Sequence, residues 1–500
     1  MALSRLNYIH SRENGRLAST TPDDIDGIVE AFKGQAKVVL HFHGGLVDEA
    51  NGFRTAERLL PTYTAAGAYP VSFIWRSGLL ETIRGNLPEI FSEDVFKTIL
   101  RWVTRYAIGK VKQQPGERAL GVLQTPSGMD VEVELARRDA QQEPYAELAI
   151  PDDVEPLIDA ELEQFQQELA ADGELEAQRQ AIVNALLPEP AITTSRGAVI
   201  RTRESAHTLM SPEVVAELKA EAQPPEGERG LVSGGILIRK AAGVLIAVVK
   251  RFREKTDHGV YPTILEEILR ALYLTNVGGA VWNFMKRDTE DTFADSSEVR
   301  AGRYFLDKLS ELLATGDRPE ITLIGHSAGA VFIDNLLNDV ERRRGDPQDP
   351  FPEDFRFENL VYLAPACTFT HCASMISRGD HLFERFRMFT MTDTAEQADW
   401  LVSFVYPRSL LYFISGVLER DPDHKSTVLP LVGMQRFYLG TSSAADAAVV
   451  TVRDFVISSA DRAVWSPGDR GVGLSSGATT HTAFDDDPKV LASIADLIER

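Results

Sequence analysis

The sequence predicts an α/β protein: a mostly parallel sheet flanked by helices, with a large and mainly helical insertion. Three observations predict this class. Short β-prone runs alternate with helical stretches toward both ends of the chain. The middle instead carries apolar residues at helical spacing, broken by Pro and Gly. The chain also has 500 residues, 44% hydrophobic and 25% charged, which is globular composition with ample length for a large core.

In the first segment, residues 38–42 (VVLHF) and 71–75 (VSFIW) predict buried strands, and residues 56–66 predict a helix between them. Strand, helix, strand is the unit of a parallel sheet. In the middle, Leu157, Ile158, Leu162, Phe165 and Leu169 keep helical spacing. Breakers recur at Pro188, Pro190, Pro224, Pro225 and Gly234-Gly235, and residues 223–229 are expected to be disordered. Alternation then resumes. Helices are expected over 297–314 and 328–340, and strands over 321–324 (ITLI), 360–363, 387–391 and 448–457. Val490, Leu491, Ile494 and Leu497 predict a terminal amphipathic helix over 488–499. The expected organisation is a core of residues 1–110 and 300–500 with an insertion over 111–299. No repeat of fixed period is found.

The formal charge of −22 arises from 52 basic and 74 acidic residues. It repels phosphate backbones and anionic surfaces, so nucleic acid is not an expected partner. Residues 130–189 hold 17 acidic and 3 basic residues, a local balance of 3 − 17 = −14. A solvated helical face is the plain expectation, and a docking surface for a basic partner is the alternative. Cys367 and Cys372 are the only cysteines. They exclude a disulfide framework, lack the ligand count of a structural zinc site, and read as buried free thiols. The first 15 residues have no apolar signal region. The run 241–249 (AAGVLIAVV) is far shorter than the ~20 residues a bilayer requires. The expectation is a cytoplasmic protein without a transmembrane segment. With no phosphate-loop or H-E-x-x-H motif, no cofactor and no metal are expected.

The chemistry centres on Gly325-His326-Ser327-Ala328-Gly329, a G-x-S-x-G motif. A β-branched run leads into it and a helical pattern follows at once. A serine at such a junction sits on a sharp turn with its Oγ presented above the sheet. The glycines permit the turn and close packing of strand on helix, and the helix N-terminus favours developing negative charge. Gly473-Leu474-Ser475-Ser476-Gly477 fits the same pattern in a Gly/Ser-rich stretch without that context, and reads as a chance match. Ser327 is the expected nucleophile. A nucleophilic serine requires oxyanion donors. His41-Phe42-His43-Gly44-Gly45 follows a buried strand, and a glycine pair there brings backbone N–H groups close to a reacting carbonyl. Gly44, Gly45 and Ala328 are the expected oxyanion hole, with His43 bracing the loop.

HFHGG after an early strand and GHSAG after ITLI, with an acid and a late histidine beyond, together resemble the α/β-hydrolase superfamily of esterases and lipases. The resemblance covers residues 36–80 and 300–500. It implies the α/β-hydrolase fold and a triad in the order serine, acid, histidine. Asp393, ending the strand expected over 387–391, fits the acid. Asp399 is the alternative, and either could simply cap a helix. His481, on a Gly/Ser/Thr-rich loop before the last helix, fits the base, with His424 as runner-up. Asp485, Asp486 and Asp487 are expected to cap that helix. The implied activity is hydrolysis of carboxylic esters through an acyl-enzyme. Thioesterase, amidase or acyltransferase chemistry on the same triad is the alternative, as is a non-catalytic scaffold binding partners through the acidic insertion. The expected ligand is a small-molecule acyl substrate. The apolar run 400–418 reads as a core helix pair or, more sharply, an acyl-binding wall. Residues 235–252 mix apolar and basic side chains, which suits a membrane surface, but the acidic chain as a whole argues against peripheral binding. Superfamily members usually carry their caps after the strand that follows the elbow. An insertion ahead of the nucleophile strand departs from that pattern.

Overall fold

The computed structural model describes residues 3–45, 49–75, 78–112, 125–138, 140–151, 153–186, 208–222, 235–420, 428–439 and 446–500. An eight-stranded sheet runs through it. Its strands are β1 (Tyr8–Arg12), β2 (Arg16–Leu17), β3 (Lys37–Phe42), β4 (Tyr69–Ile74), β5 (Glu320–His326), β6 (Phe357–Leu363), β7 (Phe383–Met391) and β8 (Ala463–Ser466). The spatial order is β2-β1-β4-β3-β5-β6-β7-β8. Every neighbouring pair is parallel except β1 and β2. Helices cover both faces, so the inner strands read as continuous apolar runs rather than alternating ones. Residues 38–42 of β3 and 321–326 of β5 are all buried.

β3 and β5 lie side by side, with Val39 opposite Thr322 and Phe42 opposite Gly325, although some 280 residues separate them. Between β4 and β5 the described chain forms no strand of this sheet. It runs through helices that include Asp94–Lys112, Asp159–Ala170, Ile236–Glu254, Val260–Ile268 and Ala280–Asp291. The expected disordered stretch 223–229, and Pro188, Pro190, Pro224, Pro225 and Gly234, lie outside the described residues. Helix Ile236–Glu254 packs against Asp94–Lys112 and Val260–Ile268 and buries Ala241, Leu245, Val248 and Phe252. Its apolar face is therefore covered by protein. No described helix is long and apolar enough to cross a membrane.

One expected element differs. Residues 448–457 form a helix, Ala447–Ile457, not a strand. The Asp446 side chain caps it by accepting from the Ala448 N–H, and Val449, Val452 and Val456 form one buried helical face. A run of valines has strand propensity, but the cap and the i, i+3, i+7 spacing prevail. The last strand of the sheet is the short β8 instead.

The helix after β5, Gly329–Arg344, is anchored to the sheet by an aromatic cluster. The Phe332 ring lies 4.9 Å from Phe42, 5.7 Å from Phe73, 5.8 Å from Trp75 and 5.5 Å from Phe293. Phe332 is fully buried, and it joins β3, β4 and the insertion to the turn that carries Ser327. Phe332→Ala is expected to lower stability by about 3–5 kcal/mol, as for large core truncations. Phe332→Leu should cost clearly less. Urea unfolding of the three proteins checks the order.

Candidate functional site

Ser327 stands where β5 ends and helix Gly329–Arg344 begins. Its φ is +53°, a left-handed conformation that a residue with a Cβ rarely adopts. Such strain persists only where the surroundings over-determine it. Here the Ser327 N–H donates to Leu363 O at 2.8 Å, and its carbonyl accepts from the Ala366 N–H at 3.1 Å. The motif glycines are needed for space. A Cβ on Gly325 would come within 2.7 Å of Gly329 O, and a Cβ on Gly329 would overlap Phe42 O.

The glycine pair after β3 packs directly on this turn. A Cβ on Gly44 would lie 3.3 Å from Ser327 Cβ, and one on Gly45 would lie 3.1 Å from Ala328 Cβ. Gly44, Gly45 and Ala328 are thus neighbours of the serine, and their N–H groups donate to no partner among the described residues. His43 holds the loop. Its Nδ1–H donates to Gly44 O at 2.7 Å, while Nε2 accepts from the Trp75 N–H at 3.1 Å. Burial lowers its pKa to about 4, so it is a neutral brace. The insertion reaches the same spot: a Cβ on Gly45 would overlap Met285 Cε, from helix Ala280–Asp291. Ser327 is 1% exposed.

His481 opens a short turn, His481–Ala483, ahead of the terminal helix Pro488–Glu499. Its backbone is held on both sides. The His481 N–H donates to Asp399 Oδ2 at 2.8 Å, and its carbonyl accepts from His326 Nε2 at 3.0 Å. The imidazole lies beside His326, with ring centroids 5.4 Å apart. Both of its ring nitrogens are buried and take no partner among the described residues, so no hydrogen bond joins them to Ser327. Burial, and then the charge of His326, push its pKa well below the usual histidine range.

The structure does not bring Asp393 to His481. Asp393 opens helix Asp393–Ala398, where its carboxylate accepts from Tyr412 OH at 2.6 Å and Gln397 Nε2 at 2.8 Å. Asp399, the C-cap of that helix, returns to the His481 loop instead. One short helix after β7 thus turns the nearer acid toward Tyr412 and the farther one toward the His481 loop; burial raises the Asp399 pKa. His424 lies outside the described residues. The second G-x-S-x-G is part of a small antiparallel pairing, Ser475–Ser476 with Gly468–Asp469, and forms no strand–helix corner. Of the apolar run 400–418, residues 410–418 are helical and buried throughout as core, whereas 400–409 form no helix and expose Ser403 and Phe404.

Beneath the serine lies a pair that sequence reasoning missed. His326 Nδ1 is 2.7 Å from Asp485 Oδ2, and both groups are buried. Since His326 Nε2 faces a carbonyl, both ring nitrogens must donate, which only the imidazolium can do. Burial alone would lower its pKa, but the Asp485 carboxylate overrides this and raises it. Burial would conversely raise the Asp485 pKa, but His326 holds it below the usual carboxylate range. Asp487 does cap the terminal helix as expected, accepting from the Val490 N–H, and Asp486 pairs with Arg58. Asp485 does neither. The available signal was a motif histidine in GHSAG together with three consecutive aspartates beside His481.

Comparison with known protein families, curated proteins and solved structures finds no match to this chain.

Asp485→Asn is expected to cost about 3 kcal/mol near pH 5, since it strands a buried partner. The sign follows from linkage. The depressed Asp485 contributes above its ordinary value of 3.8, and that contribution is lost as pH falls through its folded value. The raised His326 contributes fully below 6.5, and that contribution is lost as pH rises through its folded value. The gap between wild type and variant should therefore be widest between these two ordinary values. Denaturant unfolding across pH checks it, and a gap independent of pH contradicts it.

Proposed function

We propose that this chain is a serine hydrolase of the α/β-hydrolase type that cleaves carboxylic esters through an acyl-enzyme. The observation that carries the reading is Ser327 at φ +53°, between a parallel strand and a helix, with Gly44 and Gly45 packed against it. A plain strand–helix corner has no need of a strained serine facing a glycine pair.

In this reading Ser327 Oγ attacks the ester carbonyl carbon while His481 accepts its proton. The oxyanion is met by N–H groups of Ala328 and of Gly45 or Gly44, each worth about 2.7–4 kcal/mol of barrier in comparable sites. The protonated imidazole then passes its proton to the leaving alkoxide, and the acyl-enzyme forms. Water, deprotonated by His481, releases the acid. Asp399 rather than Asp393 is the triad acid, because its carboxylate already holds the His481 backbone. A small shift of the imidazole closes the relay; such contacts often tighten only when substrate binds. Thioesterase, amidase and acyltransferase activities would use the same groups. A non-catalytic scaffold binding through the acidic insertion is the opposing reading, and activity decides against or for it.

The test is hydrolysis of a chain-length series of p-nitrophenyl esters. Ser327→Ala and His481→Ala are each expected to lower kcat by at least about 10⁴-fold, and Asp399→Asn by about 10³–10⁴-fold. Asp393→Asn should stay within about tenfold of wild type, because its carboxylate faces Tyr412 and Gln397. Reversal of the two aspartates would overturn the acid assignment. Activity that survives Ser327→Ala, or no turnover of any ester or thioester by the wild type, would overturn the reading itself. The pH profile carries a sign as well. The base works as neutral imidazole, and the His481 pKa lies below the ordinary 6.5. The acid limb of kcat/KM should therefore have its midpoint below 6.5, and a midpoint above it contradicts this role for His481.

A further inference from the structure

The two cysteines do not stand alone in the fold. Cys367, just beyond β6, and Cys372, on helix Phe369–Gly379, lie in contact with Asp334 of helix Gly329–Arg344. One ligating atom from each, two sulfurs and a carboxylate oxygen, fall within 4.8 Å of one another, and all three residues are buried. Asp334 is 0% exposed; its Oδ2 meets no nitrogen or oxygen donor at hydrogen-bond geometry among the described residues, and a weak donor, the Cys367 thiol, lies beside the carboxylate. Its other oxygen accepts from Tyr362 OH, which fixes the orientation of the carboxylate. His371 Nε2 lies 3.8 Å from that Oδ2, too far for a hydrogen bond, and makes no hydrogen bond to another described residue.

An unpaired carboxylate oxygen in a protein interior is costly, and native structures give such groups a partner. Two sulfurs and a carboxylate oxygen converge there, and the imidazole of His371 stands beside that oxygen, outside the cluster. Three such donors plus an imidazole that closes in make the donor set of a tetrahedral zinc site. Zinc bonds of about 2.0–2.1 Å to nitrogen and oxygen place such a ligand pair about 3.3–3.4 Å apart, so the Asp334–His371 pair, at 3.8 Å, must close by a few tenths of an ångström to bind. The thiols alone lack the ligand count; the fold supplies the other two donors from a helix 33 residues earlier and from the residue preceding Cys372.

We infer that Asp334, Cys367 and Cys372, completed by His371, bind one zinc ion per chain. Coordination deprotonates both thiols, so two protons leave as the ion enters, and Asp334 remains as carboxylate. Burial raises the pKa of both thiols and of Asp334, a bias that a divalent cation at their centre reverses. Ion access is available, since Cys367, Thr368 and His371 line a cavity of about 1520 Å³. The ion would fasten helix Gly329–Arg344 to the segment after β6, where the Ala366 N–H holds the Ser327 carbonyl. Its expected role is to stabilise that corner, and the inference does not depend on the hydrolase reading.

The test uses the full chain, chelator-treated and kept reduced, with both thiols counted before titration. Zinc is titrated against a chromophoric competitor, and cobalt is added in a parallel sample. One equivalent of zinc is expected, with a thiolate-to-cobalt charge-transfer band and a higher melting temperature on zinc addition. Cys367→Ser with Cys372→Ser should lower the affinity at least about 100-fold and abolish the band. His371→Ala, at a partly exposed position that should leave the fold intact, should lower it about tenfold or more. Failure of the folded, reduced wild type to take up zinc would overturn the inference. So would unchanged affinity in both variants.

Discussion

A serine backbone held at φ +53° is the constraint around which the rest of this molecule is arranged. The conformation costs roughly 1–2 kcal/mol for a residue with a Cβ and has no local reason to persist. It persists because β5, β6 and the helix after β5 leave the chain no other course. Gly325 and Gly329 approach each other too closely for side chains, and Gly329 lies against the backbone of β3. Hydrogen bonds from Ser327 N–H to Leu363 and from Ala366 N–H to Ser327 O hold the corner from the neighbouring strand. The glycine pair after β3 can then reach the serine because β3 and β5 are adjacent in the sheet. The long excursion between β4 and β5 does not disturb that adjacency. It returns to the site through Met285, which packs beside Gly45, and through Phe293, which packs on Phe332.

The second layer of the site is electrostatic. A charged His326, paired with Asp485, sits directly behind the serine and bonds to the carbonyl of His481. The pair positions the late imidazole through its backbone; burial, and then the charge of His326, keep that imidazole neutral. His326 and His481, whose rings lie side by side, thus take opposite protonation states: one is bonded to acceptors at both ring nitrogens, the other is buried without any. Separating titration states by environment in this way is a general means of assigning roles to chemically identical groups.

Much of this arrangement was legible in the sequence, for physical reasons. Buried parallel strands are continuous apolar runs, so residues 38–42, 321–324, 360–363 and 387–391 announced themselves. The G-x-S-x-G motif was readable because its context, strand before and helix after, tells a corner from a loop; the copy at Ser475 lacks it. The helix Ala447–Ile457 misled because valine favours strands while the cap at Asp446 decided otherwise. Where Asp393 and Asp399 each point was not legible, because sequence does not show which way a six-residue helix turns its two ends. The pairing of His326 with Asp485 and the meeting of Asp334 with Cys367 and Cys372 are long-range contacts, carried by strand order rather than by any local pattern.

All of the chemistry depends on whether the hydroxyl at this corner is reactive. Incubating the native chain with a fluorophosphonate and mapping the adduct by peptide mass spectrometry asks that directly. The account predicts a single covalent phosphonylation on the peptide containing Ser327, absent when the protein is first unfolded. An adduct on another serine, Ser475 for instance, or a native protein that the reagent never modifies, would contradict it.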